Sequence, residues 1–179
     1  MPLAGINLRI ADAETGKICA DGEIGIIELR GDNVFQGYWE MPEKTAESFR
    51  EDGFFITGDM AVRDADGYVS IVGRDKDLII TGGLNVYPRE VESLVDEVAG
   101  VQESAVIGVP HPDFGEAVVA IVAAGPGAVS ADAVIEALAG KLAKFKQPKS
   151  VHLVDALPRN SMGKVQKAAL RKEYAGLFA

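Results

Sequence analysis

Apolar positions along the chain change period near residue 74. Before it, short runs alternate polar and apolar residues in the two-residue rhythm of strands. Residues 6–12 (INLRIAD) alternate, 14–17 (ETGK) turn, and 22–31 (GEIGIIELRG) form a second extended run. Residues 34–39 (VFQGYW) read as a third strand. Residues 41–51 predict a helix with Pro42 in its first turn. Residues 53–59 and 68–74 read as further strands, and 64–67 (DADG) as a strong turn after Met60–Arg63. Several short strands separated by turn signals predict a small antiparallel barrel or curled sheet.

After residue 74 the periods mix. Residues 77–81 predict a strand and 82–85 (GGLN) a turn. A helix is expected over 88–98, opened by Pro88, with Val91, Leu94, Val95 and Val98 on one face. Two apolar strands follow at 101–110 and 117–125. Next come a helix over 130–143 with Ser130 as N-cap, a strand over 150–155, and a last helix over 164–178. Val165, Ala168, Ala169 and Leu170 are its expected inward positions. The fold class predicted is α+β: a small antiparallel β subdomain (1–73) followed by a compact α+β domain (74–179).

The composition, 47% hydrophobic and 25% charged over 179 residues, describes a globular chain. A single cysteine, Cys19, cannot form an internal disulfide and implies a reducing, cytoplasmic setting. The start, Met1-Pro2-Leu3, has neither the basic nor the apolar region of a signal peptide, and no apolar run approaches the roughly 20 residues of a membrane span. Neither a membrane nor a nucleic acid is therefore expected as a partner, since the net charge is −9 and the basic stretch lacks interleaved aromatics. That charge is uneven: residues 141–172 hold nine basic residues and one acid, Asp155. The segment is read either as a solvated basic face or as a surface that meets phosphates.

Few chemical constellations stand out. His111 and His152 lie in different elements without ligand-spaced neighbours, so no metal site is expected. Residues 161–165 (SMGKV) look superficially like a phosphate-binding loop, but Pro158 occupies the place of its first glycine and Val165 follows the lysine. What remains is a series of polar loop ends: TGD (57–59), GRDKD (73–77), TGGLNVYPRE (81–90) and PRNSMGK (158–164). Taken singly each has an ordinary explanation: a strand end, a surface cation, a tight turn, a solvated helix start.

In this order and spacing they resemble the C-terminal third of the adenylate-forming enzymes, which comprise acyl-CoA synthetases, peptide-synthetase adenylation domains and luciferases. The resemblance begins at GEIGIIELRGDNVFQGYW, continues through DGFFITGDMAVRDADGYVSIVGRDKDLIITGGLNVYPREVE, and ends at LPRNSMGK. Within the family, residues 37–59 and 103–120 look most like malonyl-CoA synthetases.

The resemblance implies an ATP-dependent, AMP-forming ligase. It joins a carboxylic acid to AMP with release of pyrophosphate, then transfers the acyl group to CoA. By this likeness Asp59 accepts hydrogen bonds from the ribose hydroxyls, and Arg74 also contacts the ribose. Lys164 bridges the carboxylate and the α-phosphate. Lys76 is the hinge of a mobile lid, and Gly82 and Gly83 belong to the loop of the CoA tunnel. Residues 1–73 correspond to the last β-barrel-like subdomain of the N-terminal adenylation module and 74–179 to the lid. The rest of that module, with its phosphate loop, its acyl pocket and most of the Mg2+ site, has no counterpart in the sequence. The isolated chain is thus expected to be inactive in adenylation. A protein acetyltransferase acting on Lys164 is a further implied partner. Three other readings stay open: an acyl-CoA ligase for another short-chain or fatty acid, an adenylation domain that loads a carrier protein, and a stand-alone module that binds CoA, nucleotide or an acidic protein.

Overall fold

The computed structural model describes residues 4–125 and 127–179, so the Met1-Pro2-Leu3 start lies outside the described residues. The chain forms two units, Met1–Lys76 and Asp77–Ala179.

The first unit is a four-stranded antiparallel sheet in chain order: β1 (Asn7–Ala11), β2 (Ile24–Arg30), β3 (Phe55–Arg63) and β4 (Val69–Arg74). Alternation sorts its side chains. Ile10, Ile27 and Ala61 meet on one face, with Leu8, Leu29 and Val69 around them. Neighbouring Glu28 is fully buried. It stands opposite Arg9 in the β1–β2 register, and its two carboxylate oxygens each take one guanidinium, Arg9 Nε at 2.7 Å and Arg50 Nε at 2.7 Å. Arg9 also reaches Asp52 and lies 3.8 Å from the centroid of the Phe54 ring. An ionised group survives here because every charge has a partner.

Two expectations fail in this unit. Residues 34–39 are irregular, with bends at Val34 and Gln36, rather than a strand. Gly37 breaks the alternation, and Phe35 instead packs edge-on against Tyr38, Phe49 and Phe55 at 5.0, 5.8 and 5.0 Å. The strand expected over 53–59 runs on through Met60–Arg63 as one element, reversing only at the Asp64–Gly67 turn. The helix is present as α1 (Pro42–Ser48), with proline at its start.

The second unit is an α+β sandwich around a five-stranded sheet. A 3₁₀ turn at Asp75–Asp77 leads toward β5 (Ile79–Thr81), which pairs with β6 (Leu84–Val86). Then come α2 (Pro88–Val95), β7 (Val101–His111), β8 (Gly115–Ala124), α3 (Ala131–Leu138), β9 (Ser150–Val154) and α4 (Lys167–Glu173). The order is β6-β5-β8-β7, with β9 added parallel to β8. Because β8 lies inside, its apolar run needs no alternation. Val118, Ala120 and Val122 join Val91, Val95, Val134 and Leu138 on one face, while Ala117, Val119, Ile121 and Ala123 join Leu157 and Leu170 on the other.

Helices end earlier than the sequence suggests. The helix expected to reach residue 98 stops at Val95, and the one expected to reach 143 stops at Leu138, shortly before Gly140 at φ +79°. The start expected at residue 164 is delayed to Lys167, because residues 158–166 bond to one another first. Leu170 points inward as expected and Val165 is half-buried, but Ala168 and Ala169 are exposed; Tyr174 and Phe178 take their place against the sheet. Ser130 caps α3 as expected, its hydroxyl accepting from Ala133 N at 3.2 Å.

Candidate functional site

In the first unit the candidate residues Asp59 and Arg74 meet beside a bulge. Between the pairs Ile26↔Met60 and Glu28↔Ile56, β2 advances two residues and β3 four, so Thr57-Gly58-Asp59 leaves the ladder. Gly58, at φ +72°, supplies the left-handed step. The Thr57 hydroxyl donates to Ile27 O at 2.9 Å and accepts from Asp59 N at 3.0 Å, which fixes the backbone under the carboxylate. Across the β3–β4 register Asp59 faces Arg74, and Arg74 Nε lies 2.8 Å from Asp59 Oδ1. Asp59 is half-buried and Arg74 half-exposed. Oδ2 thus remains for donors arriving from outside, and the guanidinium keeps further N–H groups in its fork. Such a carboxylate–guanidinium pair is suited to a polyhydroxyl or phosphate-bearing ligand.

Lys76, in the 3₁₀ turn, is exposed, and the division between the two units falls just after it.

In the second unit two loops carry the remaining residues singled out from sequence. Gly82 and Gly83, at φ +58° and +77°, make the two-residue turn of the β5–β6 hairpin. The turn expected over 82–85 is therefore shorter, since Leu84 and Asn85 are already in strand β6. Two consecutive positive φ values exclude side chains that lack a local hydrogen bond to offset the strain. Gly82 N donates to Phe114 O at 2.9 Å, tying the hairpin to the β7–β8 turn. Beside Phe114 stand His111, with ring centroids 4.7 Å apart, and Lys149, whose ammonium is 4.9 Å from the Phe114 ring centroid.

Lys164 lies on a closed loop between β9 and α4. Asn160 organises it: Asn160 N donates to Lys164 O at 2.9 Å, and its side-chain oxygen accepts from Met162 N at 3.0 Å and Lys164 N at 2.9 Å. Gly163 takes φ +77°, and Gln166 N closes the base on Pro158 O at 2.8 Å. The Lys164 side chain is exposed, and among the described residues no carboxylate lies within 4 Å of its ammonium.

The basic segment is less cationic than its sequence implies. Lys141 pairs with Glu97, Lys146 with Glu90, Arg159 with Glu103, Lys167 with Glu92 and Arg171 with Asp77. Among the described residues that leaves Lys144, Lys149, Lys164 and Lys172 without a carboxylate. Sequence reasoning missed the parts played by Thr57, Asn160 and Arg159; the one available signal was Asn160 three residues before a glycine, a turn former beside a residue that tolerates positive φ. No three of His, Cys, Asp and Glu converge as a metal would require among the described residues, which thus hold no complete site for Mg2+. No helix is long and apolar enough to cross a membrane among the described residues.

Comparison with known proteins agrees with this layout. Residues 90–164 match the family described as the AMP-binding enzyme C-terminal domain. A 3-[(3aS,4S,7aS)-7a-methyl-1,5-dioxo-octahydro-1H-inden-4-yl]propanoyl:CoA ligase from Rhodococcus jostii is 50% identical over 153 residues, covering 85% of this chain and 30% of the relative. A feruloyl-CoA synthase from an Amycolatopsis species is 44% identical, covering 94% of this chain and 34% of its own length. The crystal structure of ATP-bound MatB from Rhodopseudomonas palustris superposes with a TM-score of 0.94 at 57% identity, covering 99% of this chain and 35% of MatB. The chain thus spans about a third of the length of the relatives it matches. It belongs to the adenylate-forming, AMP-binding enzymes and corresponds to their C-terminal region.

Proposed function

We propose that the protein containing this chain is an ATP-dependent, AMP-forming acyl-CoA ligase acting on malonate. In the first half-reaction a carboxylate oxygen attacks the α-phosphorus of ATP, the bond to the β-phosphate breaks, and pyrophosphate leaves. In the second, the CoA sulfur attacks the acyl carbon, the thiol proton is lost, and AMP departs. Asp59 and Arg74 hold the ribose, the carboxylate accepting from its hydroxyls. Lys164 offsets the repulsion between two anions as they meet.

The observation that carries this reading is Lys164: an exposed ammonium without a carboxylate partner among the described residues, on a loop whose backbone is held by bonds to Asn160 and Pro158. A lysine held in that way is available to an anion brought from elsewhere in the protein. Malonate as the acid rests on the likeness of residues 37–59 and 103–120 to malonyl-CoA synthetases and on 57% identity to MatB malonyl-CoA synthetase. A cytoplasmic location, where ATP and CoA are available, belongs to the same proposal.

The test uses the protein extended N-terminally to include the adenylation module. AMP release with ATP, Mg2+ and CoA is measured on malonate, methylmalonate, acetate, benzoate and a long-chain fatty acid. Malonate is expected to be the best substrate. Activity on another acid alone overturns malonate and keeps the ligase; no activity on any acid favours a carrier-protein or binding role.

Lys76 is proposed as the pivot that lets one domain serve both half-reactions, presenting Lys164 for adenylation and the Gly82–Gly83 hairpin for CoA. Proline fixes φ and restricts the residue before it. Lys76→Pro is therefore expected to slow one half-reaction by at least about tenfold, roughly 1.4 kcal/mol of barrier, and to spare the other. Equal loss of pyrophosphate exchange and of thioester formation from added acyl-adenylate would remove the pivot.

A further inference from the structure

The loop that carries Lys164 has an internal frame and a separate external anchor. Its frame is the set of bonds to the Asn160 backbone and side-chain oxygen, which fixes shape but not direction. Its stems are pinned by Leu157, buried, and Val165, half-buried, against the β7–β8 face. Between the stems, Arg159 is the only side chain hydrogen-bonded from the loop to the sheet among the described residues. One guanidinium nitrogen donates to Gly163 O, and another donates to the carboxylate of Glu103 on β7.

From this geometry we propose that Arg159 is a positioning residue for Lys164, acting through the Gly163 carbonyl. Gly163 lacks a side chain and sits at φ +77°, so its own dihedrals do little to set the peptide that joins it to Lys164; Asn160 holds that peptide at Lys164 N, which leaves its Gly163 oxygen to be held from outside the loop. The Arg159 fork clamps the oxygen of that very peptide and refers it to β7. Spanning a carbonyl and a carboxylate at once takes two donors in a rigid plane, which arginine has and lysine lacks. Arg159 and Glu103 are both partly exposed, with side chains 44% and 34% accessible, so their pairing adds little to stability. Its consequence is orientation: a small misplacement of a reacting group costs rate out of proportion to the energy of the contact.

This inference rests on the ligase reading, and the experiment separates the two. Arg159→Lys and Arg159→Met are made in the N-terminally extended protein. In each, kcat for adenylation is expected to fall about tenfold, with KM for ATP and acid little changed. Thioester formation from added acyl-adenylate and the Tm stay as in the wild type. Independently of activity, hydrogen exchange at residues 160–164 is expected to quicken in both variants. Unchanged exchange overturns the clamp even if the wild-type protein ligates nothing. Arg159→Lys behaving as wild type overturns the fork argument, and parallel loss of both half-reactions with a lowered Tm reduces Arg159 to a structural contact. If the wild type is inactive on every acid while exchange quickens as expected, the ligase reading fails and the clamp stands.

Discussion

Lys164→Ala is expected to slow adenylation by roughly 10²–10³-fold while leaving the fold unchanged. The magnitude follows from removing one preorganised charge that acts where anionic charge develops, for which about 10²–10³ is typical. The stability half of the prediction follows from the structure. The side chain is exposed and unpaired among the described residues, and the loop is bonded through Asn160 and the backbone, so truncation removes no folding contact. Surface changes of this kind fall within about 0.5 kcal/mol. Pyrophosphate exchange and thioester formation from added acyl-adenylate, measured on the extended protein, check the two halves. Loss of exchange with retention of the thioester step is expected, whereas equal loss in both assays would remove Lys164 from adenylation. Acetylating Lys164 removes the same charge and should reproduce the alanine result.

Glu28→Ala carries the largest expected cost in stability. The carboxylate is fully buried and takes one guanidinium on each oxygen. Breaking a buried ion pair by deleting one partner costs about 3–5 kcal/mol. The lower end, about 3 kcal/mol, is expected here, because Arg9 and Arg50 are partly accessible and Arg9 keeps Asp52. Urea unfolding would read the change, and hydrogen exchange would place it in β1, β2 and β3 while β7 and β8 stay protected. A loss below about 1 kcal/mol would mean that the cluster is replaceable by water. The cluster is also acid-sensitive. Hydrogen bonding from Arg9 holds the Asp52 carboxyl below the usual aspartate range. That contribution is present above the unfolded value and is lost as pH falls through the folded one.

Much of the architecture was written in local pattern. Pro42 and Pro88 mark helix starts, Ser130 caps a helix, and Asp64–Gly67 reverses the chain, because each of these depends on a residue's own backbone limits and on bonds to near neighbours. The order of loop signatures around Asp59, Arg74, Gly82, Gly83 and Lys164 likewise identified the family without coordinates. Length and extent were less legible. Residues 34–39 read as a strand until Phe35 found three aromatic partners from Tyr38, Phe49 and Phe55. The last helix read three residues too long at its start, because the Asn160 turn competes for the same backbone groups.

Sequence by itself determined which residues are candidates for the chemistry, since an ammonium, a carboxylate and a left-handed glycine are properties of single positions. Only the tertiary structure decided how those groups are charged and held. Five of the nine basic residues of the 141–172 segment are matched by acids, all five between 44 and 94 positions distant in the chain and in the same unit, which turns an apparent +8 surface into a few free lysines among the described residues. Asp59 meets Arg74 because a bulge in β3 and the β3–β4 register bring them level, and Gly163 is clamped because β7 delivers Glu103 to Arg159. Such pairings depend on strand register and loop closure over long separations, and no local period of polar and apolar residues encodes them.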